Sequence, residues 1–349
     1  MDIVDQLKRY NIEKPYRFHM PGHKGKNIFS PKDDTLMYGN DITEIEGMDN
    51  LHNPKGVIKD MLDQIAATYG VRRTFMSTNG STTSLHAAIL GLTNPKDNVI
   101  ISRDCHKAVY NAMILGDLNP VYLPVSANKD IGLLNLYDLT DFEKTIKNTD
   151  AKVVVITYPS YFGICCNIEE IVRLVHKHNK LIIVDEAHGS HLKFSGLLPI
   201  SAEEAGADII IQSAHKTLPA LTQTSMLHVN SNIDTSRIES YLSILMTSSP
   251  SYLMMVSLEQ SVRFMVDNAK ILLEKNLNTI DKLAKEYTGA GKVFKDRNFF
   301  LSNNVYDFDS SKLLFRLAEA GIVATCGKRL LRNRYNIEME MADTEYING

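Results

Sequence analysis

The sequence contains no tryptophan, few cysteines and no long apolar run. Its four cysteines form neither CxxC units nor a disulfide-rich framework, so we expect no metal site and a reducing, cytoplasmic location. No apolar run approaches the roughly 18 residues of a membrane span, and the N-terminal segment lacks the apolar core of a secretory signal. The net charge of -3 comes without a clustered Lys/Arg face, which argues against nucleic acid or a membrane as a partner.

What is present is the composition of an ordinary globular protein, with 44% hydrophobic and 23% charged residues. The 349 residues suffice for one large domain and part of a second. A helical period covers 57–69, and a short strand is predicted over 73–76. Four unalternating apolar runs, typical of strands buried on both faces, follow at 99–101, 153–156, 181–184 and 209–211. This pattern predicts an α/β fold with a mostly parallel central sheet.

The composition changes at residue 251. Residues 251–287 predict one long helix, which Gly289 and Gly291 end. Beyond it, a strand signal lies around Val305, and helical signals cover 313–320 and 328–334. We therefore predict an N-terminal arm over 1–56, a large ligand-binding domain over 57–250, and the long helix with a smaller α/β unit over 251–349.

A glycine-containing loop precedes the second predicted helix. Gly80 permits close backbone approach, and Ser81 and Thr82 add hydroxyl groups beside the free N–H groups of a helix start. Such a site suits a phosphate dianion. The alternative is an N-capped helix after a turn, which would need no ligand.

An acidic residue follows the strand predicted at 181–184. Asp185 begins the run Asp-Glu-Ala-His, and in a poorly hydrated site its charge would favour protonation of a heterocyclic nitrogen, as a pyridinium needs. A helix N-cap and a metal ligand are the alternatives. The same run occurs in helicases, but the chain has no GxxxxGK[ST] phosphate loop, which excludes that class.

A lysine follows the strand predicted at 209–211. An isolated lysine is nearly always a solvated surface residue, but apolar surroundings at a strand end would lower the pKa of Lys216 and make its amine nucleophilic toward an aldehyde. Segment 213–217 is predicted to be extended, with Ser213 and His215 on the side opposite Ala214. His106 suits either stacking on a flat ring or a hydrogen bond to backbone. Together these groups are the ones that pyridoxal phosphate requires.

Five short motifs follow one another in a fixed order: HMPGHKG at 19–25, DITE at 41–44, GMDNL at 47–51, SAHKT at 213–217 and TSSPSY at 247–252. Together they resemble the Orn/Lys/Arg decarboxylase family of fold-type-I pyridoxal-phosphate enzymes, which share the fold of aspartate aminotransferase. The resemblance covers about residues 18–343. No single motif is specific, but their order is.

The resemblance implies decarboxylation of arginine, lysine or ornithine by a homodimer with pyridoxal phosphate as cofactor. Lys216 would be the Schiff-base lysine, Asp185 would pair with the pyridinium nitrogen, and His106 would stack on the ring. His188 would lie near the phenolic oxygen, so these four are the implied catalytic residues. The implied cofactor-binding residues also include Gly80, Ser81, Thr82, Thr157, Ser213 and His215, with Ser248 and Ser249 from the second subunit.

The sequence also departs from the family pattern. Pro159-Ser160-Tyr161-Phe162-Gly163 stands where P-T-Y-Y-G is expected, and the proline- and glycine-rich C-terminal segment of the family is missing. A chain without the C-terminal domain is expected to bind the cofactor even if decarboxylation is lost. Another fold-type-I reaction such as transamination, or cofactor binding with little activity, are therefore the alternatives. Asp41, Glu44 and Glu46 are candidates for recognising the substrate's distal cation, although such residues more often cap turns.

Overall fold

A seven-stranded sheet is the centre of the computed structural model, which describes residues 2–29, 36–286 and 293–349. The strands are β1 (Arg73–Ser77), β2 (Asn98–Ser102), β3 (Asn119–Leu123), β4 (Ser126–Asn128), β5 (Leu133–Leu136), β6 (Val153–Thr157), β7 (Ile164–Cys165), β8 (Leu181–Asp185), β9 (Ile209–Gln212), β10 (Ser225–Val229), β11 (Asp307–Phe308), β12 (Leu314–Arg316), β13 (Met341–Ala342) and β14 (Tyr346–Asn348). The central sheet has the order β1-β10-β9-β8-β6-β2-β3.

Helices cover the sheet and extend beyond it. They are α1 (Ile3–Glu13), α2 (Leu36–Asn40), α3 (Val57–Tyr69), α4 (Gly80–Leu92), α5 (Lys107–Leu115), α6 (Leu139–Lys147), α7 (Ile168–Lys177), α8 (Ala214–Thr217), α9 (Ser236–Leu245), α10 (Tyr252–Glu286), α11 (Arg297–Ser302) and α12 (Ala324–Tyr335). None of the helices within the described ranges is long and apolar enough to cross a membrane.

The sheet is parallel except at β10, which runs antiparallel to both β1 and β9. Its inner strands are buried on both faces, because side chains alternate between two apolar layers. Along β6, Val154 and Ile156 pack with α6 and α7, whereas Val153 and Val155 pack with α4, α5 and α9. The predicted α/β fold with a mostly parallel sheet is confirmed.

Predicted elements agree with the structure where their apolar pattern is long. The helix predicted over 57–69 is α3, and the four apolar runs are β2, β6, β8 and β9. The long helix predicted over 251–287 is α10, and its predicted end at Gly289 and Gly291 lies outside the described residues.

The prediction for 313–320 was wrong. Leu314–Arg316 is a strand, and only Leu317–Ala320 forms a single 3-10 turn. Leu314 is fully buried and β12 pairs with β14, so pairing with residues near 348 overrides the local helical preference. The strand signal around Val305 was displaced by two residues, since β11 begins at Asp307 and pairs with β7.

An apolar cluster joins segments from all three predicted parts of the chain. Ile3 and Leu7 of α1 pack with Ile58 of α3 and with Leu258 and Val262 of α10. The three-part division at residues 56 and 250 stays a prediction, but its first part shares a core with the other two.

Candidate active site

One cavity of about 690 Å³ lies at the carboxyl ends of the parallel strands. Strands that run in the same direction present their carboxyl ends at one sheet edge, which is where ligands bind in open α/β sheets. Thr157 ends β6 and Asp185 ends β8, and the two are register partners. Ten residues singled out from the sequence line this cavity: Gly80, Ser81, Thr82, His106, Thr157, Asp185, His188, Ser213, His215 and Lys216.

The amine of Lys216 lies 3.0 Å from the Nε2 atom of His188. Burial, followed by the charges of Lys216 and Lys312, lowers the pKa of His188 to about 2, so its imidazole is neutral. Partial burial also lowers the pKa of Lys216, and the negative charge of Asp185 offsets part of this effect. A neutral Nε2 atom beside Nζ gives the lysine a nearby hydrogen-bond acceptor.

Asp185 is a buried carboxyl group at the cavity wall. Its Oδ1 atom accepts a hydrogen bond from the backbone N–H of Ala187 at 3.3 Å. Burial raises the pKa of Asp185 to about 6, although the charge of Lys216 opposes the rise. The carboxylate therefore lacks full solvation, and a positively charged ring nitrogen would stabilise it.

The first turn of α4 faces the same cavity. Gly80 begins α4 with a φ of 72°, a conformation that favours glycine, and a Cβ atom there would point into open space. The Ser81 hydroxyl lies 2.7 Å from that of Ser213 and 3.1 Å from that of Ser225. By helix geometry, the N–H groups of Ser81 and Thr82 have no partner within the helix. This combination can hold a phosphate group.

The extended conformation predicted for 213–217 was wrong. Ala214–Thr217 is one helical turn, and the N–H of Lys216 bonds to the carbonyl of Ser213 at 3.1 Å. Ser213 therefore contacts Ser81, while the Nδ1 atom of His215 lies 3.0 Å from the carbonyl of Thr224. The sheet ends at Gln212, so the backbone polar groups that follow are satisfied by a turn instead of a ladder.

His106 makes the backbone hydrogen bond that was one of its two alternatives, and its stacking on a ring stays a prediction. It caps α5, where its Nδ1 atom accepts from the N–H of Ala108 at 3.2 Å, and it also lines the cavity. Burial and the charges of Lys216 and Lys107 lower its pKa. Thr157 adds a hydroxyl that is buried and has no hydrogen-bond partner among the described residues, so a ligand in the cavity could satisfy it.

Five of the sequence candidates do not line this cavity. Ser248 and Ser249 are exposed between α9 and α10, where the N–H of Ser249 bonds to Thr247. Their contribution to a partner's site stays a prediction. The acidic candidates also lie elsewhere: Asp41 contacts His23 at 3.0 Å, and neither Glu44 nor Glu46 reaches the cavity.

Sequence reasoning missed two acidic residues near the cavity. Asp343 is in the cavity wall, and the hydroxyl of cavity residue Tyr161 donates to the Oε1 atom of Glu340 at 2.8 Å. The charge of Glu340 also acts on Lys216. No local pattern marks these residues, because their place depends on how the small unit folds against the strand ends.

Comparisons with known proteins agree with this architecture. The lysine decarboxylase LdcF of Francisella novicida superposes with a TM-score of 0.83 at 19% identity, over 99% of this chain and 56% of that chain. The fold is that of fold-type-I pyridoxal-phosphate enzymes. Residues 2–344 match the major domain of Orn/Lys/Arg decarboxylases, and the chain belongs to this family.

Two relatives from Bacillus subtilis cover nearly the whole chain. An arginine decarboxylase is 30% identical over 97% of this chain and 70% of its own length. The uncharacterised protein YaaO is 38% identical over 99% of this chain and 72% of its own length. The chain therefore spans about seven tenths of these relatives and little more than half of the solved lysine decarboxylase.

Proposed function

We propose that this chain decarboxylates a basic amino acid, arginine, lysine or ornithine, to the corresponding amine with pyridoxal phosphate as cofactor. The observation that carries the proposal is one cavity in which Lys216, Asp185 and His106 meet the first turn of α4. The names of the family and of the arginine decarboxylase relative support the choice of reaction and substrate class.

The cavity residues fit the proposed cofactor. Its aldehyde would be held by Lys216, its ring nitrogen by Asp185 and a ring face by His106. Its phosphate would be held by Gly80, Ser81, Thr82, Ser213 and His215, and the unpartnered hydroxyl of Thr157 would have a ligand to bond. When bound, the cofactor supplies an electron sink for the pair of electrons released as carbon dioxide leaves.

The chain's own residues orient the lysine amine and hold charge near the ring nitrogen. His188 is neutral and lies 3.0 Å from the lysine amine, so its Nε2 atom can accept a hydrogen bond from Nζ and hold the amine in place. Asp185 keeps a negative charge at the wall of a poorly hydrated site, and that charge holds a proton on a ring nitrogen. We assign recognition of the substrate's distal cation to Asp343, which lines the cavity, and to Glu340, which bonds to the cavity residue Tyr161.

The assembly and location are part of the proposal. We propose a cytoplasmic homodimer in which Ser248 and Ser249 of one subunit complete the phosphate site of the other. Both serines are exposed and lie outside the cavity of their own chain. They are therefore free to contact the phosphate site of a second subunit.

The direct test supplies the purified chain with pyridoxal phosphate and each of the three basic amino acids. We expect release of carbon dioxide and the matching amine from at least one of them, and none from the Lys216→Ala variant. Formation of a keto acid without carbon dioxide would favour transamination. Cofactor absorbance that depends on Lys216, without any product, would instead favour a binding protein with little activity.

A further inference from the structure

A second carboxyl group follows Asp185 directly but does not line the cavity. Glu186 is fully buried. Its Oε1 atom accepts from the N–H of Ala202 at 2.8 Å, and its Oε2 atom accepts from the side-chain amide of Gln212 at 2.7 Å. Each oxygen of this carboxyl group therefore already has one neutral donor.

A third acid, Glu203, lies next to Glu186. It follows Ala202, the residue whose N–H bonds to Glu186, and the charge of its carboxyl group raises the pKa of Glu186. Both of its oxygens are buried and accept no hydrogen bond from any described residue. Two neighbouring carboxyl groups cannot both stay ionised in a buried site without a cation.

Among the described residues, no lysine or arginine bonds to the carboxyl group of Glu203. Lys193, in the 3-10 turn Leu192–Phe194, bonds to Glu204 at 2.9 Å and acts on Glu203 only through its charge. Tyr69 of α3 donates its hydroxyl to the carbonyl of Ser190 at 2.9 Å. On the side of β10, burial lowers the pKa of His228 to about 3, so it is neutral.

The neutral histidine also fixes the direction of the hydrogen bonds on that side. Its Nδ1 atom lies 2.8 Å from the hydroxyl of Thr74, and its Nε2 atom lies 3.2 Å from the Gln212 oxygen. His228 can therefore donate to Gln212, whose amide nitrogen donates in turn to Glu186. Since Glu186 receives both available donors, the remaining proton belongs on the acid that receives none.

We propose that Glu203 stays protonated at neutral pH and donates a hydrogen bond to Glu186, and that this carboxyl pair positions the turn bearing Asp185 and His188. The turn is closed tightly around Glu186. The N–H of Gly189 bonds to the Glu186 carbonyl at 2.9 Å, and a Cβ atom on Gly189 would lie only 2.5 Å from the Glu186 Cγ atom. Movement of the Glu186 side chain would therefore shift His188 relative to Lys216.

The sign of the pH effect follows from the environment of the pair. Burial, then the mutual repulsion of the two acids, raises the pKa of Glu186, and burial raises that of Glu203. A group whose pKa is higher in the folded state binds more protons there than in the unfolded chain. Its stabilising contribution is present below the unfolded pKa and is lost as the pH rises through the folded pKa.

The test compares the melting temperatures of wild type, Glu203→Gln and Glu204→Gln without substrate, from about pH 6 to about pH 9. Glu203→Gln keeps a neutral donor that cannot be ionised. We therefore expect the difference between its melting temperature and that of wild type to grow by about 2 °C or more as the pH rises across this range. Glu204→Gln is the matched control on the next residue. It removes an ionised partner of Lys193, so its offset should stay constant.

Two results would contradict the proposal that Glu203 is protonated and donates to Glu186. One is a Glu203→Gln offset from wild type that does not change with pH. The other comes from the unmodified protein, which makes the test independent of how well a variant folds. Infrared spectra of wild type near neutral pH should contain the carbonyl band of a protonated, buried carboxyl group. Absence of that band would contradict the proposal.

The positioning role rests on the proposed function, and a separate readout tests it. With pyridoxal phosphate added, we expect Glu203→Ala to shift the pH midpoint of the cofactor's absorbance change and Glu203→Gln to restore the wild-type midpoint. Equal pH midpoints in wild type, Glu203→Ala and Glu203→Gln would mean that the Glu186–Glu203 pair does not influence the cofactor site. Absence of any cofactor spectrum in wild type would instead refute the proposed function, while the melting and infrared results would still report on the proton.

Discussion

At the scale of single residues, the neighbours of a side chain decide its chemistry. Lys216 is an ordinary lysine whose pKa falls through partial burial, and His188 is a histidine that stays neutral beside it. Asp185 is exceptional because its carboxyl group is buried at the cavity wall and takes one hydrogen bond. Its proposed task is to keep a ring nitrogen protonated, which depends on its charge and not on its shape.

The first prediction removes this charge alone. Asp185→Asn keeps the size of the side chain, so we expect the protein to retain some cofactor but to lose about 100-fold or more in kcat. Steady-state assays of amine formation, with the absorbance of bound cofactor as a second readout, check this. The control is Asp208→Asn, a buried acid before β9 that bonds to the N–H of Ile182 at 2.8 Å. Near-normal turnover in Asp185→Asn would refute the assigned role.

The second prediction concerns the distal cation of the substrate. Glu340→Gln should raise the KM for a basic amino acid about tenfold with less effect on kcat, because a charge contact made in both ground and transition states is lost. Glu338→Gln is the control in the same segment. Glu338 forms an ion pair of 2.9 Å with Arg332 and does not line the cavity. Equal KM values in the two variants would exclude Glu340 from recognition.

At the scale of elements, strand ends and one helix start create the site. The parallel strands β6 and β8 bring Thr157 and Asp185 to one edge, and the first turn of α4 turns its N–H groups and hydroxyls to the same cavity. The hydroxyls of Ser81 and Ser84 in α4 both bond to the hydroxyl of Ser225 in β10, at 3.1 and 3.0 Å. This cluster can be tested one hydroxyl at a time.

The third prediction separates two serines of α4. Ser81→Ala should weaken binding of pyridoxal phosphate about tenfold, since a hydrogen bond to a charged group is worth about 1.5 kcal/mol or more. Ser84→Ala removes a hydroxyl that lies 3.0 Å from Ser225 but does not line the cavity, and should leave the affinity unchanged. Absorbance titrations with cofactor give both dissociation constants. Similar affinities for the two variants would contradict a phosphate site at this turn.

At the scale of the whole molecule, a buried contact between His191 and Asp309 joins the segment after His188 to the small unit near the C-terminus. The Nε2 atom of His191 lies 3.1 Å from Asp309 and 3.0 Å from Ser311. Burial alone would raise the pKa of Asp309, but the charge and hydrogen bond of His191 outweigh it and lower the value to about 2. The stabilising effect of this carboxylate is therefore present above its unfolded pKa and is lost as the pH falls toward 2.

The fourth prediction breaks this link. Asp309→Asn should lower the free energy of unfolding by about 3 kcal/mol near neutral pH, because it leaves a buried polar partner uncompensated. Asp307→Asn is the control, since its pair with Arg297 is partly exposed and should cost about 1 kcal/mol or less. Denaturant unfolding of both variants gives the comparison. Equal losses would mean that the buried pair does not hold the small unit in place.

The sequence by itself determined the inner strands, the long helices and most of the proposed cofactor site. Unalternating runs such as 153–156 can be buried only in a covered sheet, and polar residues that follow parallel strands must converge at one edge. Asp185 and Lys216 could therefore be selected from local pattern alone.

Only the tertiary structure decided the rest. It turned 314–316 into a strand by pairing with 346–348, placed Glu340 beside Tyr161, and joined His191 to Asp309 and Glu186 to Gln212. These contacts join residues that are distant in the chain, and no periodicity or short motif encodes them. Burial also set their charges, since the pKa of a carboxyl group depends on the groups that folding brings around it.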